Sequence, residues 1–133
     1  MALPQVGGGY QYTDGNLNEV KLYAQQAPGA TTATSVTLAA ADVTNGLYTS
    51  TNASAVAITL PTVATLEASV VNARVNSAFD FVVINLGSSS GAVTMTANTG
   101  WTLVGSATVA ISTSARFTAR KTDVGAWSLY RVA

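Results

Sequence analysis

The stretch FDFVVINLGSSSG, residues 79–91, decides how the fold is read. Five large apolar side chains fill its first six positions, interrupted only by Asp80, and the run stops at three serines between two glycines. Successive side chains on a strand point to opposite faces. Phe79, Phe81 and Val83 therefore face one way, and Val82, Ile84 and Leu86 the other. An antiparallel strand with one wet face alternates apolar and polar residues. This one is apolar on both, so both faces are expected to be covered. One should meet the core; the other should meet a helix near residues 62–73 or another subunit. The glycines and serines that follow make a polar surface loop.

Outward from this strand the chain keeps the same habit. From residue 31 it is rich in Thr, Val, Ser and Ala, with turn signals about every ten residues. Strands are expected at 35–38, 47–49, 55–60, 79–86, 92–97, 101–104, 108–112, 115–120 and 126–132. Gly87, Gly91, Gly100, Gly105 and Gly125 separate most of the later ones. Pro61 ends one run because it cannot donate to a sheet ladder. Val63, Leu66 and Val70 recur at helical spacing and predict one short helix within 62–73. Short, regularly spaced strands with Gly-rich turns indicate a sandwich or barrel. The expected fold is all-β: an antiparallel, jelly-roll-like β-sandwich of about eight strands spanning residues 31–133, with one short helix.

Residues 1–30 differ. They hold Pro4, Pro28, the triple glycine Gly7-Gly8-Gly9 and the turn signal Asp14-Gly15. At most a short strand around Val20, Leu22 and Ala24 is expected. Such density of Gly and Pro reads as an extended N-terminal arm. Yet the arm carries Leu3, Val6, Tyr10, Tyr12, Leu17 and Tyr23, more apolar and aromatic surface than a solvated tail carries. It reads as an arm that orders on a partner's surface, with folding over its own domain as the alternative. Leu3, Val6, Tyr10 and Tyr12 are its contact candidates.

Composition limits the chemistry. The 133 residues, one domain's worth, contain no Cys and no His, and only 9% are charged, with six acids balancing six bases. The usual share of charged residues is about 25%. Near-zero net charge favours association. Without His or Cys there is no Ser-His-Asp arrangement, no thiol nucleophile and none of the common zinc sites. The six acids form no recognisable motif, so no enzyme and no cofactor are expected. Asp14-Gly15-Asn16-Leu17-Asn18-Glu19 echoes a calcium loop but has Glu19 where the loop glycine belongs. Asn52-Ala53-Ser54 fits a glycosylation acceptor, but no secretory signal accompanies it. No run approaches the ~20 apolar residues of a membrane span. There is no dense basic cluster for nucleic acid.

The few charges are unevenly placed. Residues 110–133 hold Arg116, Arg120, Lys121 and Arg131 against Asp123, whereas the first half is acidic. On the strand at 115–120, Ala115, Phe117 and Ala119 share one face and Arg116, Thr118 and Arg120 the other. Arg116 and Arg120 either keep that face solvated or meet carboxylates of a neighbour.

Three stretches carry a family resemblance: VAITLPTVATLEA (56–68), residues 79–105, and VAISTSARFTARKTDVGAWSLYRVA (109–133). Together they resemble the capsid decoration, or cement, proteins of tailed bacteriophages. The Leu-Pro-Thr turn, the Asn-Leu-Gly strand end, the Gly-Trp hairpin and the final Trp/Tyr-Arg strand also resemble domains of phage head fibres and tail spikes. The resemblance implies a non-enzymatic, trimeric structural part on the outer surface of the virion, made in the host cytoplasm, with the major capsid protein and itself as partners. The alternative is a receptor- or glycan-binding module of a fibre or spike, using Tyr48, Trp101, Trp127 or Tyr130 as stacking platforms. For Trp101 and Trp127, flanked by alternating apolar residues, packing is the expected role.

Overall fold

The computed structural model describes residues 22–133, which form ten strands and two short helices. The strands are β1 (Gly29–Thr31), β2 (Ser35–Thr37), β3 (Leu47–Ser50), β4 (Val56–Thr59), β5 (Ala78–Asn85), β6 (Val93–Thr96), β7 (Trp101–Val104), β8 (Thr108–Val109), β9 (Thr113–Asp123) and β10 (Ala126–Arg131). The helices are α1 (Ala40–Thr44) and α2 (Val63–Ser69). A six-stranded sheet has the order β1-β3-β5-β9-β10-β7, and a four-stranded sheet the order β2-β4-β6-β8. β1 takes Gly29 and Ala30 out of the expected arm, while residues 22–24 form no strand.

The expected antiparallel sheets are corrected to mixed ones. Five of the eight strand pairings among the described residues are parallel. Up to Thr96 the chain alternates between sheets, with β1, β3 and β5 side by side in one and β2, β4 and β6 side by side in the other. The result is a winding of three coils. Parallel neighbours need a long crossover connection, and here each crossover runs through the other sheet and a helix. After Thr96 antiparallel pairing predominates: β9 pairs antiparallel with β5 and, as a hairpin, with β10, and β8 with β6, while β7 and β10 still pair in parallel.

Both helices form for local reasons. In α2, the N-cap Thr62 accepts a hydrogen bond from the Thr65 amide at 3.2 Å, and Val63 and Leu66 are buried. The helix expected near 62–73 therefore stands. α1 was not expected. Its five residues offer little periodicity; the Asp42 carboxylate starts the turn by accepting from the Ala39 amide at 2.9 Å.

Asparagines hold the coils together. Asn45 donates through Nδ2 to the Ala27 carbonyl (2.9 Å), Asn52 to Thr32 (2.8 Å) and Asn98 to Leu60 (3.0 Å). In each case a carboxamide reaches the backbone of the preceding turn of chain, extending the ladder where the strands have ended. Asn52 is thus engaged in the fold, in the sequence that fits a glycosylation acceptor. Asn85, only 1% exposed, closes the opening stretch. Its Nδ2 donates to the carbonyls of Gly91 (2.8 Å) and Val109 (3.0 Å), and its Oδ1 accepts from the Gly87 amide (2.8 Å). The coils approach so closely here that a Cβ on Gly91 would overlap the Asn52 carbonyl. Gly100 is fixed twice over: its φ is +91°, and a Cβ would lie 2.7 Å from Val63.

One core draws on both sheets. Phe81, Val83, Phe117, Trp127 and Leu129 come from the larger sheet, Ile58, Val93, Met95 and Val109 from the smaller, and Val43, Val63 and Leu66 from the helices. Trp101 and Trp127 stand side by side in register, ring centroids 6.1 Å apart, and Phe79 lies 5.8 Å from Trp127. Both indoles reach a polar partner: Trp101 Nε1 donates to the Pro61 carbonyl (2.7 Å) and Trp127 Nε1 to Glu67 Oε1 (3.2 Å).

Candidate interaction surface

The outer face of the six-stranded sheet follows from the registers. Phe81, Val83 and Asn85 of β5 point to the core, so Asp80, Val82 and Ile84 point outward. Leu47 of β3 lies opposite Val82, and Thr49 opposite Ile84. On the other side of β5, Arg116 lies opposite Val82, Ser114 opposite Ile84 and Thr118 opposite Asp80. Leu47, Val82 and Ile84 are half-buried and belong to no part of the core cluster. The helix expected to cover this face does not: α2 sends Val63 and Leu66 into the core instead. An apolar stripe therefore crosses the sheet, with Arg116 on one flank. At its foot, beside Ile84, Leu86 and Ser114, lies a depression of about 400 Å³. Leu86 itself is 58% exposed.

β9 places the two arginine candidates. Ala115, Phe117 and Ala119 are buried; Arg116 is exposed and Arg120 half-buried. Four residues apart on one strand, the two stand about 13 Å apart. Their environments differ. Arg120 is committed within its own chain: Nη1 donates to Asn76 Oδ1 (2.6 Å) and Nη2 to the Tyr130 hydroxyl oxygen (2.9 Å). Its guanidinium also lies 5.7 Å from the Tyr130 ring centroid. The hydrogen bond from Arg120 favours the phenolate and lowers the Tyr130 pKa. Asn76 sits in the left-handed region at φ 75°, and its amide donates to the Lys121 carbonyl at 2.8 Å.

Two more basic residues of the C-terminal quarter are also engaged. Lys121 pairs with Glu67 at 2.9 Å. Arg131 Nη1 donates to the Thr108 carbonyl at 2.7 Å and ties β10 to β8. The guanidinium of Arg116 has no hydrogen bond or ion pair among the described residues. The hydrogen bond from Lys121, joined by one from Trp127 Nε1, holds the Glu67 carboxyl below its ordinary pKa, against the opposing effect of burial.

Leu3, Val6, Tyr10 and Tyr12 lie outside the described residues, as does Asp14-Gly15-Asn16-Leu17-Asn18-Glu19. Of the four stacking platforms, Tyr48, Trp101 and Trp127 are at most 7% exposed. Tyr130 is half-buried and holds Arg120. No group of three or more metal-ligating side chains occurs among the described residues. No described helix is long and apolar enough to cross a membrane.

Sequence reasoning missed the uneven use of the arginines, because Asn76 and Tyr130 are separated from Arg120 by 44 and 10 residues. It also missed the corner asparagines; a glycine one or two residues after Asn45, Asn85 and Asn98 was a partial signal, absent at Asn52. Comparison of the chain with protein-family models, with curated proteins and with solved structures returned no match.

Proposed function

We propose that this chain is a non-enzymatic structural protein of a tailed-phage virion. It binds the outer surface of the capsid, has the major capsid protein as its partner, and stabilises the shell. In finer detail, its two sheets pack as a sandwich, with a coiled rather than jelly-roll strand order, and copies associate as a homotrimer. The protein is made in the host cytoplasm and acts on the virion.

The observation that carries this reading is the apolar stripe Leu47–Val82–Ile84 on a sheet face that no described helix covers. A sheet with both faces apolar suits a protein that works in association. The sparse charge of the chain agrees, since repulsion between copies is weak. The glycan-binding alternative is disfavoured by the burial of Tyr48, Trp101 and Trp127, because stacking on a sugar needs an open aromatic face.

The test is to add purified protein to phage heads stripped of it. Saturable binding at hundreds of copies per head, with greater resistance of the heads to heat, is the expected result. Binding at only a few tens of sites would move the assignment to a fibre. No binding to heads at all would remove the assignment.

A further inference from the structure

The apolar stripe needs an occupant, and the chain upstream of β1 supplies one. Gln25 and Ala27 are pinned to Asn45: Gln25 Nε2 donates to Asn45 Oδ1 (3.0 Å), and Asn45 Nδ2 donates to the Ala27 carbonyl (2.9 Å). Asn45 lies two residues before Leu47, so the chain enters the domain at the edge of the stripe. It does not use that stripe. Leu22 is 71% exposed and Tyr23 is 85% exposed, so this end of the described chain does not pack on its own domain.

We propose that the N-terminal arm is exchanged between copies: residues 1–24 of one copy lie across the outer sheet face of a second copy, over Leu47, Val82 and Ile84. Three further observations support a second copy as the occupant. The first is charge. Upstream of Lys21 the arm carries only acids, Asp14 and Glu19. The stripe is flanked by Arg116, whose guanidinium is unpaired among the described residues. The second is area. By strand spacing and rise, the outer face covers roughly 500 Å² per copy. A stable interface buries about 800 Å² per partner. Face-to-face pairing of two sheets therefore falls short, and an arm that wraps its neighbour is the occupant that fits. The third is reach. Twenty-one residues extend up to about 70 Å, well beyond the width of one sheet. The depression beside Ile84 and Leu86 offers a seat for one of the arm's large side chains, Tyr10 or Tyr12.

This inference concerns self-association only and does not rest on binding to a capsid. Its test is done on free protein, so it stands or falls separately from the virion reading. The chain has no cysteine, so introduced cysteines report alone. One chain carries Gln11→Cys and an affinity tag; a second, untagged, carries Thr49→Cys at the stripe. The two full-length chains are coexpressed and treated with a short bismaleimide. A covalent dimer of tagged and untagged chains is the expected product. Absence of that dimer overturns the proposal, and so does a link formed only within one chain when both substitutions are placed on it. A second measurement uses Val82→Lys in the otherwise intact chain, with folding checked by near-ultraviolet circular dichroism. Self-association should weaken at least tenfold, and Arg116→Glu should weaken it less. Unchanged association of folded Val82→Lys would also overturn the proposal.

Discussion

The two halves of this molecule are built on opposite principles. From Gly29 to Thr96, short strands of three or four residues, with β5 as the exception, pair in parallel with partners remote in sequence. From Thr113 to Arg131, an eleven-residue strand and a six-residue strand pair antiparallel across the tight turn at Gly125. The winding has little ladder per strand and compensates at its corners with asparagine side chains. The hairpin has ladder in plenty and is anchored by bulk: Phe117, Trp127 and Leu129 are all at most 2% exposed. Both regions bury apolar side chains in the one core; the first adds polar corners, and the second relies on its long ladder. β5 joins them, pairing parallel with β3 and antiparallel with β9.

The largest expected effect falls on the hairpin. Trp127→Ala should lose about 3–5 kcal/mol, the usual cost of emptying a large buried aromatic site. Thermal or denaturant unfolding measures it. A loss below 1 kcal/mol would mean that the hairpin is not held by this indole. In the winding, Asn85→Ala should cost about 1–3 kcal/mol, because carbonyls at Gly91 and Val109 lose a buried donor. Asn52→Ala, at a half-buried corner, should cost less, about 1 kcal/mol. If Asn52→Ala proved as damaging as Asn85→Ala, the contrast between fully buried and half-buried corners would be wrong.

A smaller effect comes from pH. Glu67 has a folded-state pKa below its ordinary value of 4.5. Its contribution to stability is therefore complete above that value and is lost as pH falls through the lower, folded-state pKa. Tm measured from neutral pH downward should show this decline in the native protein. In Glu67→Gln, that component of the decline should be absent. A Glu67→Gln curve parallel to the native one would show that the pairing with Lys121 and Trp127 contributes nothing. The smallest change is expected at Ser50, whose hydroxyl is buried without a hydrogen-bond partner among the described residues. Ser50→Ala removes that unsatisfied group and should leave stability within about 0.5 kcal/mol or raise it. A loss above 1 kcal/mol would reveal a partner for the hydroxyl.

The same contrast explains what the sequence discloses. Period-two alternation tells which face a side chain takes, so Ala115, Phe117 and Ala119 are legible as core and Arg116 as outward. It does not name the neighbouring strand. The parallel pairing of Leu47 with Val82, 35 residues apart, leaves no local trace, and Gly-rich turns suggest hairpins instead. α1 escaped notice because five residues carry no period. The apolar excess of Val82 and Ile84 is legible, and it points to a covering that the described part of the chain does not provide. The fate of Arg120 is not legible, because its partners Asn76 and Tyr130 are brought to it by the fold rather than by sequence proximity.

The proposed closure of the outer sheet face by another copy matters most. Sedimentation velocity of the full-length protein at micromolar concentration tests it most directly. The account predicts a species of three times the 13.5 kDa chain mass, shifting to monomer in Val82→Lys. A native protein that sediments as a monomer at every concentration, with Val82→Lys indistinguishable from it, would contradict the account.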